Sequence, residues 1–383
     1  MDRIWTKPFI QMTLGMLILF IGFYLLLPTM PLFIKEIGGS ESEVGLAAGA
    51  FTLTAVIFRP LVGGLLDRYG RRPFMIGGLL LFILSMYLYD WVGGMMSLLV
   101  LRVLHGASWA FSTTAVITSV TDMIPESRRG EGMGWFGLAM TVAMATGPML
   151  GVWVLQNGSF HAIFLVATGL SAAAFLLVYA TRIPDQPKAA TGRIELFDKS
   201  VLPVTICLFF LAVAYGGITT FLPLYAVSIQ INPGTFFLVY ALSLTLARPI
   251  AGKLSDRMGE GFVIVPSLIV TILSLVVLSF SSGLISVIIA AVLYGIGFGS
   301  AQPALQALNL RLVPPGKKGV ANASFLTAFD LGIGIGSIML GWVSQHTGYA
   351  MLFVVCAVSV AISTLVFVLI QSRLSRNMGT MEG

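Results

Sequence analysis

Apolar residues run through this chain in long blocks, separated by short polar clusters in which Gly, Pro, Asp and Arg recur. A hydrocarbon core about 30 Å thick takes about 20 apolar residues to cross as a helix. Blocks of that length occupy 9–35, 42–66, 73–90, 94–121, 131–155 and 160–181, then 200–226, 234–255, 261–281, 284–310, 319–344 and 349–372. Inside a bilayer, backbone polar groups must be satisfied within each segment, which for these Leu-, Ala- and Gly-rich blocks means helices. The pattern therefore predicts an all-α membrane protein of twelve transmembrane helices, six in each half. Pro28 and Pro31 in the first span and Pro223 in the seventh are expected to mark bends, because proline removes a backbone donor.

The second half repeats the first. Arg59-Pro60-Leu61-Val62-Gly63-Gly64-Leu65-Leu66-Asp67-Arg68-Tyr69-Gly70 returns 189 residues on as Arg248-Pro249-Ile250-Ala251-Gly252-Lys253-Leu254-Ser255-Asp256-Arg257-Met258-Gly259. Without a shift of register, Val103-Leu104-His105-Gly106 matches Val292-Leu293-Tyr294-Gly295, and Pro125 with Arg128-Arg129-Gly130 matches Pro314 with Lys317-Lys318-Gly319. The duplication implies an N-terminal six-helix bundle at 1–181, a polar linker at 182–199 and a C-terminal six-helix bundle with a short tail at 200–383.

Composition agrees with a lipid environment: 57% of residues are hydrophobic and 10% charged, far from a soluble domain. Eighteen of the 22 Lys and Arg residues fall at the termini and in alternate loops, and only Lys35 lies on the opposite face. Positive charge marks the cytoplasmic side, so a multi-pass protein of the cell membrane with both termini cytoplasmic is expected. The formal charge of +6 then reflects topology and anionic lipid, with no nucleic-acid partner. The first apolar block is too long for a cleaved signal segment and is expected to be retained. Cys207 and Cys356 lie in spans of different halves and the three histidines are dispersed, which argues against a disulfide framework or a metal site. No Gly-x4-Gly-Lys-Ser/Thr loop occurs, so nucleotide-driven pumping by this chain is not expected, and no cofactor is called for.

The motifs themselves resemble the major facilitator superfamily over essentially the whole chain. Gly63-x-Leu65-x-Asp67-Arg68-x-Gly70-Arg71-Arg72 is similar to that family's signature between its second and third helices, and Gly252-x-Leu254-Ser255-Asp256-Arg257-x-Gly259 to its repeat between the eighth and ninth. The resemblance implies the two-bundle fold of that superfamily, alternating access, and a cytoplasmic gate of Gly63, Asp67, Arg68, Gly70, Arg71, Asp122, Asp256 and Arg257. Within it, Asp67 would face the start of the eleventh helix near Gly319, and Asp67, Arg71 and Asp122 would form a charge relay. Arg311 stands where the repeat would place a second Asp122, so the second relay cannot be identical. In the fifth span Gly147, Pro148 and Gly151 are similar to the motif of the antiporter branch, with Ala143 and Val152 where that pattern has glycine.

Ionisable groups at membrane depth are costly and mark function or a partner. Asp330 lies roughly 16 Å along the eleventh span, with Thr327, Gly334 and Ser337 on its face. It is a candidate protonation site; the alternative is a carboxylate tied to a neighbouring Arg or backbone group. In the fourth span Arg102, His105, Trp109 and Thr113 fall within about 60° of one another. Arg102 and Gly106 match the family's helix-4 signature, which associates the arginine with the central cavity and proton coupling, and His105 replaces its usual glutamine. His105 titrates near neutral pH when unperturbed, although a lone histidine is more often a packing residue. Arg59 and Arg248, about 10 Å inside their spans, either snorkel to the interface or flank an entrance for an anionic or zwitterionic solute. Tyr24, Phe20, Trp109, Tyr215, Phe221 and Tyr294 are candidates to line an amphipathic cavity or simply to pack.

Together these features imply a monomeric secondary transporter and not an enzyme, exporting a small amphipathic molecule in exchange for protons. Two alternatives stay open: a specific importer or facilitator for a small anionic or zwitterionic solute, and a non-transporting receptor or scaffold. The first span lacks the embedded acid that many proton-driven multidrug exporters carry there.

Overall fold

A computed structural model describes residues 4–125, 129–181, 199–313 and 318–379. Twelve α-helical elements follow in order: α1 (Lys7–Tyr24), α2 (Leu26–Glu36), α3 (Glu41–Tyr69), α4 (Arg71–Leu88), α5 (Met95–Met123), α6 (Arg129–Asn157), α7 (Phe160–Tyr179), α8 (Leu202–Ser228), α9 (Pro233–Met258), α10 (Glu260–Ser279), α11 (Leu284–Arg311) and α12 (Lys318–Gly379). Among the described residues, 11 spans are long and apolar enough to cross a membrane, α1 and α2 together making one of them.

Local chemistry explains where these helices start and break. In the first span the helical hydrogen-bond ladder lapses at Leu25, whose backbone stays helical with φ −63° and ψ −27°, because Pro28 has no N–H to give the Tyr24 carbonyl four residues back. Ser40 opens α3 with a capping box: its hydroxyl accepts from Glu43 N, while the Glu43 carboxylate accepts from Ser40 N at 2.8 Å. That arrangement satisfies two donors at the helix start. Thr6, Ser159 and Asn232 likewise cap α1, α7 and α9. α8 continues unbroken past Pro223.

The duplicated turns adopt the same backbone. Gly70, between α3 and α4, has φ 85° and ψ 166°; Gly259, between α9 and α10, has φ 85° and ψ 156°. A positive φ of this kind is open to glycine and strained for other residues.

The described helices fall into two compact units, one from α1 to α7 without residues 44–49, the other from α8 to α12 with them. In the first, α1 packs on α6 and α7, and α4 on α5 and α7. In the second, α8 packs on α12, and α11 on α9 and α10. The long α12 is non-helical at Gly348, with φ 83° and ψ 174°. Residues on both sides of that break meet the same stretch of α8: Gly332 lies against Phe209, and Ser359 donates to the Phe210 carbonyl at 2.8 Å. Large apolar side chains such as Ile57, Leu176, Leu246 and Ile250 are exposed, as a surface covered by lipid requires.

Candidate functional site

α5 and α3 approach closely enough to bring polar groups of α5 into the first unit's interior. A Cβ on Gly106 would lie 2.3 Å from the Phe51 carbonyl oxygen and 3.0 Å from Thr54 Cβ. No larger residue fits that contact, and the repeat reproduces it: a Cβ on Gly295 would lie 2.7 Å from the Tyr240 carbonyl oxygen and 2.6 Å from Ser243 Cβ. Each partner is displaced by the same 189 residues as the glycines.

Beside that contact, Arg102 is 6% exposed and His105 fully buried. The Arg102 guanidinium lies over the Phe51 ring, 4.7 Å from its centroid, a cation–π geometry, and its Nη1 donates to the Tyr89 hydroxyl at 3.4 Å. The same hydroxyl is 2.8 Å from His105 Nδ1. Aromatic rings close the surroundings: Trp109 stacks on Phe23 at 4.2 Å and contacts Phe20 and Phe82, and Tyr24 lies beside Phe20 and Phe23. Thr113 donates to the Trp109 carbonyl within α5. The arrangement is a buried cation and imidazole joined through one phenol and enclosed by apolar rings.

In the second unit Tyr215, Phe298 and Tyr294 form a continuous stack, with centroids 4.7 and 5.6 Å apart. Phe329 borders it at 5.4 Å from Tyr215, and Phe221 and Tyr294 are fully buried. Asp330 follows Phe329 in α12 and is half-buried. About two helical turns further on, Ser337 Oγ lies 3.3 Å from Thr220 Oγ1. Arg248 donates to Gln302 Oε1 at 3.4 Å; Arg59, its counterpart in α3, is half-buried.

At the Arg-rich helix ends the Arg71 guanidinium pairs with the Asp122 carboxylate, their side chains 17% and 19% exposed. The repeat carries the same pair with its charges exchanged: Glu260 replaces Arg71, Arg311 replaces Asp122, and they meet at 2.5 Å. Arg68 lies over the Tyr69 ring at 5.3 Å and Arg257 is exposed. Asp67 and Asp256 are in α3 and α9; their side chains, the surroundings of Gly63, Arg128 and the linker up to residue 198 lie outside the described residues. Gly147 and Gly151 of α6 abut α1 and Leu25, where a Cβ would lie 2.5 Å from Tyr24 Cβ and 2.2 Å from the Leu25 carbonyl oxygen. Pro148 is buried between them.

Two participants escape the sequence reading. Tyr89 belongs to no motif, and its position opposite His105 depends on packing between α4 and α5. Glu260 was also missed, although the 189-residue register that carries Arg71 onto it was a signal that could have found it.

The profile described as Major Facilitator Superfamily matches residues 12–240 and 230–379. The chain is 26% identical over 373 residues to the staphylopine export protein of Staphylococcus aureus, covering 93% of this chain and 94% of that one. It is 27% identical over 372 residues to the multi-drug resistance efflux pump PmrA of Streptococcus pneumoniae, covering 91% and 92%. Among solved structures it superposes on a bacterial homolog of the human lysosomal transporter Spinster, inward-facing and occupied, with a TM-score of 0.77 at 15% identity, covering 94% of this chain and 95% of that one.

Proposed function

This chain belongs to the Major Facilitator Superfamily, and on that premise we propose that it is a proton-coupled exporter of a small amphipathic molecule working by alternating access. It is a transporter, not an enzyme. One observation carries the direction of transport: the match to proteins named for export runs over more than nine-tenths of both chains. Coupling is assigned to Asp330, as the carboxylate that takes and releases the proton, and Arg102 is assigned to coupling or substrate binding. Asp67, Arg71, Asp122 and Asp256 are assigned to the cytoplasmic gate.

The proposal extends to topology. The break at Gly348, with both flanks against α8, supports reading α12 as two crossings and the molecule as twelve crossings in two six-helix bundles. The distribution of Lys and Arg supports cytoplasmic termini in the cell membrane, and a monomer is the expected working unit. Purified protein in liposomes, given doxorubicin as an amphipathic fluorescent probe and an imposed proton gradient, tests the function. Transport accelerated by the gradient in wild type and insensitive to it in Asp330→Asn is the expected result. Gradient-independent transport, or unaltered gradient dependence in Asp330→Asn, refutes the coupling assignment.

A further inference from the structure

The Tyr89 hydroxyl is the junction of the buried polar groups in the first unit. Among the described residues its hydrogen-bond partners are Arg102 Nη1, at 3.4 Å, and His105 Nδ1, at 2.8 Å. A count of protons fixes the direction of both bonds. A guanidinium has donors and no acceptor, so the Tyr89 oxygen accepts from Arg102 and its single proton is left for His105. Nδ1 is then an acceptor, and the imidazole proton sits on Nε2. That atom is buried without a hydrogen-bond partner, with the Phe51, Phe82 and Phe23 ring centroids 4.7, 4.9 and 6.1 Å from the His105 ring. The opposite tautomer would orphan two groups, the Tyr89 proton and the Nε2 lone pair, and buried unsatisfied groups are penalised.

We infer that Tyr89 is a positioning residue for transport, which steadies the Arg102 guanidinium over Phe51 and holds His105 as its Nε2–H tautomer, so that this cluster offers donors only. The functional half of this inference rests on the export reading; the tautomer does not. Tyr89 also stacks on Phe164, with centroids 5.6 Å apart, and Tyr89→Phe keeps that stack while removing the hydroxyl.

The test uses full-length protein with isotope-labelled histidine in lipid nanodiscs, read by nitrogen NMR of the imidazole rings at mildly alkaline pH. The chain has three histidines, and the resonances lost in His105→Gln identify the relevant ring. The expected spectrum is Nε2–H in wild type and a mixture of tautomers in Tyr89→Phe. Doxorubicin transport by Tyr89→Phe should need about tenfold more substrate to half-saturate, the loss of one charge-assisted hydrogen bond, with a smaller effect on maximal rate. An Nδ1–H ring in wild type, or a pure Nε2–H ring that persists in Tyr89→Phe, overturns the inference. Absence of doxorubicin transport by wild type counts instead against the export reading, so the two failures are read separately.

Discussion

Gly106→Ala adds one methyl group at the closest approach of α5 to α3, 2.3 Å from the Phe51 carbonyl oxygen. Carbon and oxygen atoms in weak contact ordinarily sit about 3.3–3.6 Å apart, so the helices must separate by about 1 Å. The obstructing atom is backbone held in a helix, and no side-chain rotation relieves it. Overpacking of this kind costs typically about 1–3 kcal/mol, against a gain of about 1 kcal/mol from replacing glycine by alanine in a helix. The net expectation is a destabilisation of up to about 2 kcal/mol.

Gly169 supplies the control, because it lies within α7 and has nothing within 4 Å of its virtual Cβ. Gly169→Ala should stabilise by up to about 1 kcal/mol, the same chemical change with the opposite sign. Gly295→Ala, blocked by the Tyr240 carbonyl and Ser243, should behave as Gly106→Ala does. Reversible unfolding of the purified variants in mixed detergent micelles gives the three values directly. Gly106→Ala as benign as Gly169→Ala would refute the packing argument. Since Gly106 adjoins His105, transport should fall in Gly106→Ala as well.

Other expectations follow from single contacts. The Tyr225 hydroxyl donates to the Ser281 carbonyl at 2.5 Å, tying the end of α8 to the segment after α10; Tyr225→Phe should cost about 1 kcal/mol in the same unfolding assay. The pair between His161 and Asp90, at 2.6 Å, has a histidine 60% exposed, so His161→Gln should change stability by less than about 1 kcal/mol, and a larger loss would show that exposure is a poor guide here.

Hydropathy located the apolar helices to within a few residues, because the bilayer imposes one length and one backbone conformation on every crossing. It was less informative inside a span. The lapse in the hydrogen-bond ladder at Leu25 needed the link between Pro28 and the carbonyl four residues earlier, whereas the break at Gly348 falls in the gap that the apolar pattern leaves between 319–344 and 349–372. The candidate site divided in the same way. Arg102, His105 and Trp109 were legible as one face of α5 because helical spacing alone aligns them. Tyr89 was not, since its role arises from the rotation of α4 against α5, which no single segment encodes. The register of the duplication proved the more penetrating signal: it relates the Gly106 and Gly295 contacts, the Gly70 and Gly259 turns, and the two ion pairs.

Those ion pairs differ in a way that duplication alone does not explain. Glu260 begins α10 and Arg311 ends α11, each complementing its helix dipole. Arg71 begins α4 and Asp122 lies in the last turn of α5, each opposing its dipole. Terminal charges are worth about 0.3–1 kcal/mol apiece, so the two arrangements differ by about 1–4 kcal/mol in intrinsic cost, at the low end because Arg311 is 68% exposed and screened. The first unit thus keeps the less stable polarity in the more enclosed pair, which fits the proposed gate, since a weaker contact opens more readily. Exchanging the charges, Arg71→Glu with Asp122→Arg, should raise unfolding stability by about 1 kcal/mol while slowing doxorubicin transport. The matching exchange in the second unit, Glu260→Arg with Arg311→Glu, should lower stability by a similar amount and leave the transport rate within about twofold. If the first exchange stabilises the protein and transport proceeds at the wild-type rate, the opposed dipoles have no part in the transport cycle. If it destabilises the protein, the dipole argument itself is wrong.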